Sequence, residues 1–343
     1  MPEGHSLRRL ALTFDEWFVG SACELTSPQG RFIDGAALLS GRVMSQAHSV
    51  GKHLFLRFDE GTDGNVACDE DQDPATPNPT SLWLHVHLGL YGAWKFYAEN
   101  DSALAASIGA PRTSEEAAQA KLGNLGEMSA LRAPQTEGSQ QTRAAWAPPE
   151  PQGAVRVRIE TQRVAADLSG PNQCEVLTED EVTELVDRLG PDPLGPHAHL
   201  PETAEQFAQK IRSSKRAIGE LVMDQTFIAG VGNIYRAEGL FRQGISPYRK
   251  GANVSRRRLL ALWDDYVDLM EEGVESGDIR SVEDRDKPDP GSDAEAITLD
   301  LDPESLKWYV YHREGRECLR CGAPVREKEM QGRRLFWCSS CQR

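Results

Sequence analysis

The stretch Gln225-Thr226-Phe227-Ile228-Ala229-Gly230-Val231-Gly232-Asn233-Ile234-Tyr235-Arg236-Ala237-Glu238 sets two closely spaced glycine turns ahead of a helical pattern. Glycine permits tight turns, and a helix N-terminus leaves several N–H donors without partners in the helix. Turn amides, the Asn233 side chain and the helix dipole together make a corner able to hold a phosphate. A nucleotide-binding glycine loop fits less well, because no strand precedes the glycines and no Lys-Ser/Thr follows them. A purely structural helical turn remains the alternative.

Helical periodicity surrounds this segment, predicting helices over Ala204–Ser213, Arg216–Asp224, Ile234–Gln243 and Arg256–Gly273. Upstream, Gly190-Pro191-Asp192-Pro193-Leu194-Gly195-Pro196 reads as an interdomain linker behind a short acidic helix over 179–189. Further towards the N-terminus the pattern changes to strands: Arg42–Ser45, Lys52–Phe58, Leu82–His87, Ala93–Tyr97, Val155–Glu160 and Val164–Leu168. They predict an antiparallel sandwich reaching to about residue 170, preceded by an amphipathic helix from Ser6 to a stop at Gly20. Two polar runs, 61–80 and 100–153, interrupt the strands and read as surface loops. No fixed-period repeat is present.

Charge is segregated along the chain. The net charge is −15, which by itself argues against an anionic polymer as partner. Yet residues 209–258 hold eleven Lys and Arg against three Asp and Glu, while residues 259–304 hold three against sixteen. Residues 303–343 return to nine against five. Two basic segments thus flank an acidic one, 272–304, which is expected to be solvated, and local fields matter more than the average. No run approaches the roughly 18 apolar residues that span a bilayer, and no charged-then-apolar leader opens the chain. A cytosolic protein, processed only at Met1, is expected.

Cys318-x2-Cys321-x16-Cys338-x2-Cys341 has the spacing of two knuckles that share one tetrahedral metal, and four thiolates predict a single structural zinc. Two redox pairs are the alternative. Arg333, Arg334, Phe336 and Trp337 lie just before the second knuckle, on the arm of an expected hairpin where an arginine can reach a phosphate. Cys23, Cys68 and Cys174 are scattered, which argues for free thiols.

Four further segments are candidates for chemistry or binding. Removal of Met1 would expose Pro2, a secondary amine beside the Glu3 carboxylate. An α-amine titrates near 8, so part of it is unprotonated at neutral pH, and attack on an aldehydic carbon gives an iminium that promotes elimination. Met-Pro starts are also common without any such role. Lys52, in Gly51-Lys52-His53-Leu54, begins a strand, and a solubilising charge is its plain alternative. His85 and His87 alternate on one strand and can face one side, although strand histidines satisfied by hydrogen bonds are the favoured reading, because spacing places no third ligand. Leu90-Tyr91-Gly92 occupies a turn after that strand, where large side chains can insert between bases or simply pack in a core.

Pro2-Glu3-Gly4 before an amphipathic helix, a Gly-Lys strand about fifty residues on, a Gly-Val-Gly-Asn turn and a terminal four-cysteine finger occur here in one order. The combination resembles the formamidopyrimidine-DNA glycosylase and endonuclease VIII family, over roughly 1–58, 81–98, 154–258 and 305–343. Pro2-Glu3-Gly4-His5 and Leu90-Tyr91-Gly92 are most similar to its endonuclease VIII branch, particularly actinobacterial members. The resemblance implies a two-lobed α+β fold: a catalytic N-terminal β-sandwich lobe with its helix (1–189), a linker (190–202), and a helix-two-turn-helix domain (203–271). An acidic insertion (272–304) and a β-hairpin zinc finger (305–343) would follow.

It also implies a monomeric bifunctional DNA glycosylase and abasic-site lyase of base-excision repair, acting on damaged duplex or single-stranded DNA. Oxidised pyrimidines would be favoured. Pro2 would attack C1′ of the damaged nucleotide, Glu3 would serve as acid and base, and Lys52 would hold a phosphate and aid departure of the base. Asn233 and Arg333 would pin phosphates, Leu90 and Tyr91 would fill the gap left by the everted nucleotide, and β,δ-elimination would cut the strand. A non-catalytic binder of abasic or distorted DNA, and a lyase with feeble glycosylase activity, are the alternatives. The chain departs from the family pattern at Ser6, where many members have a second glutamate, at Gly89, where some have a larger polar residue, and in its long acidic insertions, expected on the outer surface.

Overall fold

Helix α1, Gly4–Trp17, buries Leu7, Leu10, Ala11 and Phe14 along one face, with Phe18 just beyond its end. Full burial of such side chains contributes about 1.5–3 kcal/mol each. The computed structural model describes residues 2–61, 80–99, 107–109, 146–289 and 306–343. These divide into two compact units: Met1–Pro2 with Ser6–Val186, and Glu3–His5 with Asp187–Arg343. No described helix is long and apolar enough to cross a membrane.

The first unit contains two antiparallel sheets. One has five strands in the order β1 (Glu24–Thr26), β7 (Val155–Glu160), β8 (Val164–Ser169), β5 (Ala93–Ala98), β6 (Ser107–Gly109). The other has four, in the order β2 (Val43–Val50), β3 (His53–Asp59), β4 (Leu82–His87), β9 (Gln173–Leu177). Leu54, Leu56, Phe58, Leu84 and Val86 of the second sheet join Trp94, Phe96, Val157, Ile159 and Leu168 of the first and the buried face of α1 in one core. The period-2 alternation of strands puts Phe55 and Trp83 on the opposite face, where Val182 of helix α3 (Glu179–Asp187) packs on them. Helix α2 (Ile33–Leu39) contributes Ala36 and Leu39 to the main core.

Several of these elements differ from the sequence expectation. β2 runs on to Val50, and β1, α2 and β9 were not anticipated. The first two are only three and seven residues long. β9, Gln-Cys-Glu-Val-Leu, is too polar to show clean alternation. Of the runs 61–80 and 100–153, residues 62–79, 100–106 and 110–145 lie outside the described residues, as does the expected outer placement of these insertions; 107–109 form edge strand β6.

The second unit is built on helices α4 (Pro201–Arg212), α5 (Ile218–Leu221), α6 (Asn233–Arg242) and α7 (Arg256–Ser276). Phe207, Ile211, Leu221, Tyr235, Leu240, Trp263, Tyr266 and Met270 form its core. Helix α5 is much shorter than the expected Arg216–Asp224 because Asp224 turns the chain: its carboxylate accepts from the Thr226 N–H at 3.2 Å and hydroxyl at 2.7 Å. Strands β10 (Arg326–Met330) and β11 (Arg333–Trp337) form a hairpin whose Val325 and Phe336 share a cluster with Ala237 and Phe241 of α6.

Within 272–304, residues 290–305 lie outside the described residues. The described part carries structure despite its charge. Helix α7 continues to Ser276, Ser281 accepts through the chain from Arg242, and Asp286 accepts from Tyr309 Oη at 2.6 Å and Arg320 Nε at 2.8 Å. Asp278, Glu283, Asp284 and Asp286 are paired with basic side chains, so a count of charges alone misses their partners.

Candidate functional site

In the second unit the corner Gly230–Asn233 receives a carboxylate from the start of the chain. Glu3, fully buried, accepts from the N–H of Ile234 at 2.8 Å with Oε1, and from Gly232 at 3.0 Å and Tyr235 at 3.3 Å with Oε2. These are the orphan donors at the N-terminus of α6, where the helix dipole favours an anion. Gly232 makes the approach possible, since a Cβ there would lie 2.4 Å from Glu3 Cδ. The main chain is fastened alongside, with the Gly4 N–H donating to the Gly230 carbonyl at 2.9 Å. Gln225 closes the turn by accepting from the Gly230 N–H at 2.9 Å and donating to the Val231 carbonyl at 3.0 Å.

The sequence therefore led to an anion corner, and the anion those amides hold is the protein's own. The Asn233 side chain points elsewhere: its Nδ2 donates to the Arg334 carbonyl at 2.9 Å and its Oδ1 accepts from Arg236 Nη2. Arg236 is fully buried and donates to the same carbonyl at 3.1 Å, so α6 and β11 meet through two side chains on one oxygen. Burial, reinforced by the charge of Arg333, lowers the Arg236 pKa to about 10. Arg236 was not singled out from the sequence; its signal is an arginine set between Tyr235 and Ala237 in the first turns of the helix.

Arg333 opens β11, is exposed, and pairs in register with Met330 across the Gln331-Gly332 turn. Arg334 is tied down by Glu327 at 2.6 Å and by Glu314. Below them Cys318, Cys321, Cys338 and Cys341 place all four sulfurs within 4.8 Å of one another, a metal-binding cluster. Cys318 Sγ lies 3.9 Å from Cys341 Sγ and Cys321 Sγ 3.5 Å from Cys338 Sγ. Tetrahedral Zn–S bonds of about 2.3 Å require sulfurs roughly 3.8 Å apart, so the donor set fits.

In the first unit Pro2 is buried and lies two residues before the start of α1. Lys52 sits in the turn between β2 and β3, not in the strand itself. Val50 pairs with His53, leaving Gly51-Lys52 as a two-residue hairpin loop, and Gly51 has the positive φ of 57° that such a turn takes at its first central position. Burial depresses the pKa values of His53 and His87, neighbours in register, and the nearby charge of Lys52 adds to it. His85 is satisfied by hydrogen bonds, to Glu175 at 2.9 Å and His53 at 2.9 Å.

Leu90 and Tyr91 stand out at the tip after β4, 48% and 80% exposed. The tip is closed by the Gly92 N–H donating to the Leu88 carbonyl at 3.0 Å. Gly89 has φ 66°, and a Cβ there would lie 2.8 Å from Asn172 Cβ. That conformation leaves no room for the larger polar residue found in some relatives.

A sheet pair with a leading helix, a glycine turn before a helix, and a hairpin carrying four thiolates together define the fold of the formamidopyrimidine-DNA glycosylases. The model of the "Formamidopyrimidine-DNA glycosylase H2TH domain" matches residues 189–284. Endonuclease 8 1 of Mycobacterium tuberculosis is 36% identical over 342 residues, covering 100% of each chain. A formamidopyrimidine-DNA glycosylase of Xanthomonas campestris is 32% identical over 201 residues, 57% of this chain and 68% of that protein. Among solved structures, a Lactococcus lactis Fpg mutant complexed with Fapy-dG-containing DNA aligns with a TM-score of 0.62 at 18% identity over 99% of each chain. MutM (Fpg) of Thermus thermophilus aligns at 0.61 and 21% identity over 99% of this chain and 98% of that one, a likeness of fold. The chain belongs to the formamidopyrimidine-DNA glycosylase and endonuclease VIII family of base-excision repair, whose members are DNA glycosylases with abasic-site lyase activity.

Proposed function

We propose that this chain is a bifunctional DNA glycosylase and abasic-site lyase in which the amine of Pro2, freed by removal of Met1, attacks C1′ of a damaged nucleotide. The base leaves, the sugar opens, and an iminium joins Pro2 to C1′. Loss of a C2′ proton then expels the 3′ phosphate, and a second elimination expels the 5′ phosphate. Glu3, adjacent in sequence, assists ring opening and proton transfer. The observation that most supports this reading is the fixed Glu3 carboxylate: three amides hold it, so it can act without reorganising.

Lys52 is assigned a phosphate and support for the departing base, and Arg333 and Asn233 the phosphates flanking the lesion. Tyr91 and Leu90 are assigned the space vacated by the everted nucleotide. Their exposure supports this, since a monomeric surface has no packing reason to present both at a loop tip. Oxidised pyrimidines are the favoured lesions, from the similarity to an endonuclease 8. The partner is damaged DNA, as in the L. lactis Fpg complex with abasic-site DNA. The four thiolates hold one structural zinc, which orders the hairpin and takes no part in bond breaking. The protein acts as a monomer in the cytoplasm.

Borohydride trapping on abasic-site DNA tests the reading. Protein lacking Met1 should form a covalent adduct, and protein retaining it should not. Absence of any adduct with Met1 removal verified by mass spectrometry overturns the catalytic role of Pro2.

A further inference from the structure

Strands β3, β4 and β9 assemble a hydrogen-bonded chain on the face of their sheet opposite the main core. Their register places Phe55 beside His85, His53 beside His87, and Glu175 beside His85. His85 is fully buried, with Nδ1 2.9 Å from Glu175 Oε1 and Nε2 2.9 Å from His53 Nδ1. An ionised carboxylate only accepts, so His85 Nδ1 carries a proton. Burial keeps His85 neutral, which leaves its Nε2 as an acceptor and makes His53 Nδ1 the donor. His53, neutral as well, is left with an accepting Nε2. One carboxylate thereby sets both tautomers.

The chain ends at the residue next to Lys52. His53 is the first residue of β3 after the Gly51-Lys52 turn, stacked on His85 with ring centroids 5.1 Å apart at 22°. His85 stacks in turn on Phe55 at 5.1 Å and 21°. We propose that Glu175, His85 and His53 are positioning residues for Lys52, fixing the orientation of its turn and the tautomer of the ring beside it. Glu175 thus governs base release without touching DNA. The proposal rests on the role assigned to Lys52 above. Glu175 is 48% exposed at its side chain, so its substitution removes no packed apolar group, and the one buried contact it changes is the bond to His85.

The test is single-turnover base release from a lesion-bearing duplex by the full-length, metal-loaded protein. Glu175→Leu should slow it about tenfold through misplacement of the Lys52 turn, with the Kd for DNA within about twofold. Glu175→Gln keeps an accepting oxygen and should stay within about threefold of the parent rate. On a Lys52→Gln background Glu175→Leu should add nothing, because coupled residues are not additive. Nitrogen-15 NMR should show His53 protonated at Nδ1 in the parent protein, a measurement that needs no variant to fold. Protonation of His53 at Nε2, or an equal slowing by Glu175→Leu with and without Lys52, overturns the positioning chain alone. Unchanged base release in Lys52→Gln overturns the Lys52 assignment, and the chain with it.

Discussion

Glu3 Oε1 accepts the backbone N–H of Ile234 at 2.8 Å, joining residues 231 positions apart. The carboxylate proposed to act in base excision and the cap of α6 are here the same group. The glycine turn that precedes α6 exists to admit it, for Gly232 leaves the space that Glu3 Cδ fills.

Glu3→Gln is expected to bind lesion DNA with the parent affinity and to lose base excision. Glu3→Ala should also lose stability, since it leaves buried N–H groups unpaired at about 1–3 kcal/mol each. Gly232→Ala should behave like Glu3→Ala, although it leaves the carboxylate in the chain. Denaturant melts beside single-turnover excision assays separate the two effects, and a fully active Gly232→Ala protein would refute the shared role.

Tyr91→Ala should leave the melting temperature within about a degree of the parent value, because an exposed side chain contributes little to stability. Excision from a duplex should fall, and by less when the lesion lies in a single strand, where no gap needs filling. Equal loss on both substrates would argue against insertion.

The finger makes two separable predictions. Arg333→Ala should weaken DNA binding across all sequences and reduce the slope of log K against log salt by about one. Chelation should release one zinc per chain and lower affinity through loss of the hairpin. Metal analysis during titration with a chelator, alongside binding isotherms, checks both.

Acid should destabilise the first unit in a defined window. Burial holds His48 at about 4, and burial with His85, His87 and Lys52 holds His53 at about 3, both from an ordinary 6.5. Their folded pKa values are depressed, so the unfolded chain binds more protons between those values and 6.5. Stability is complete above about 6.5 and declines as pH falls towards 4 and then 3. His48 stacks on Phe55 at 5.2 Å, with a buried Nδ1 that has no hydrogen-bond partner. His48→Phe should therefore flatten the decline of melting temperature between pH 7 and 4.5, and an unchanged slope would place the acid sensitivity elsewhere.

What could be read without coordinates was local. The Cys-x2-Cys knuckles flank a hairpin of two five-residue strands joined by a two-residue turn, so spacing alone brings four sulfurs together at its open end. The α1 stripe, the alternation in β3 and β4 and the glycines before α6 likewise follow from periods of 3.6 and 2, or from turn chemistry. β9 was illegible because its Glu175 serves His85 while only Cys174 and Val176 pack on the main core, and α5 because Ala217 bridges to Lys250 before it and the Asp224 carboxylate turns the chain after it. By itself the sequence determined that there would be a strand-rich half, a helical half and a metal-binding hairpin, since each depends on neighbours within a few tens of residues. Only the tertiary structure decided that Glu3 occupies the donors of α6, that Arg236 and Asn233 share one carbonyl of β11, and that Glu175 and His53 meet the two nitrogens of His85. Those bonds join residues about a hundred or more positions apart, or strands whose register only the folded sheet fixes.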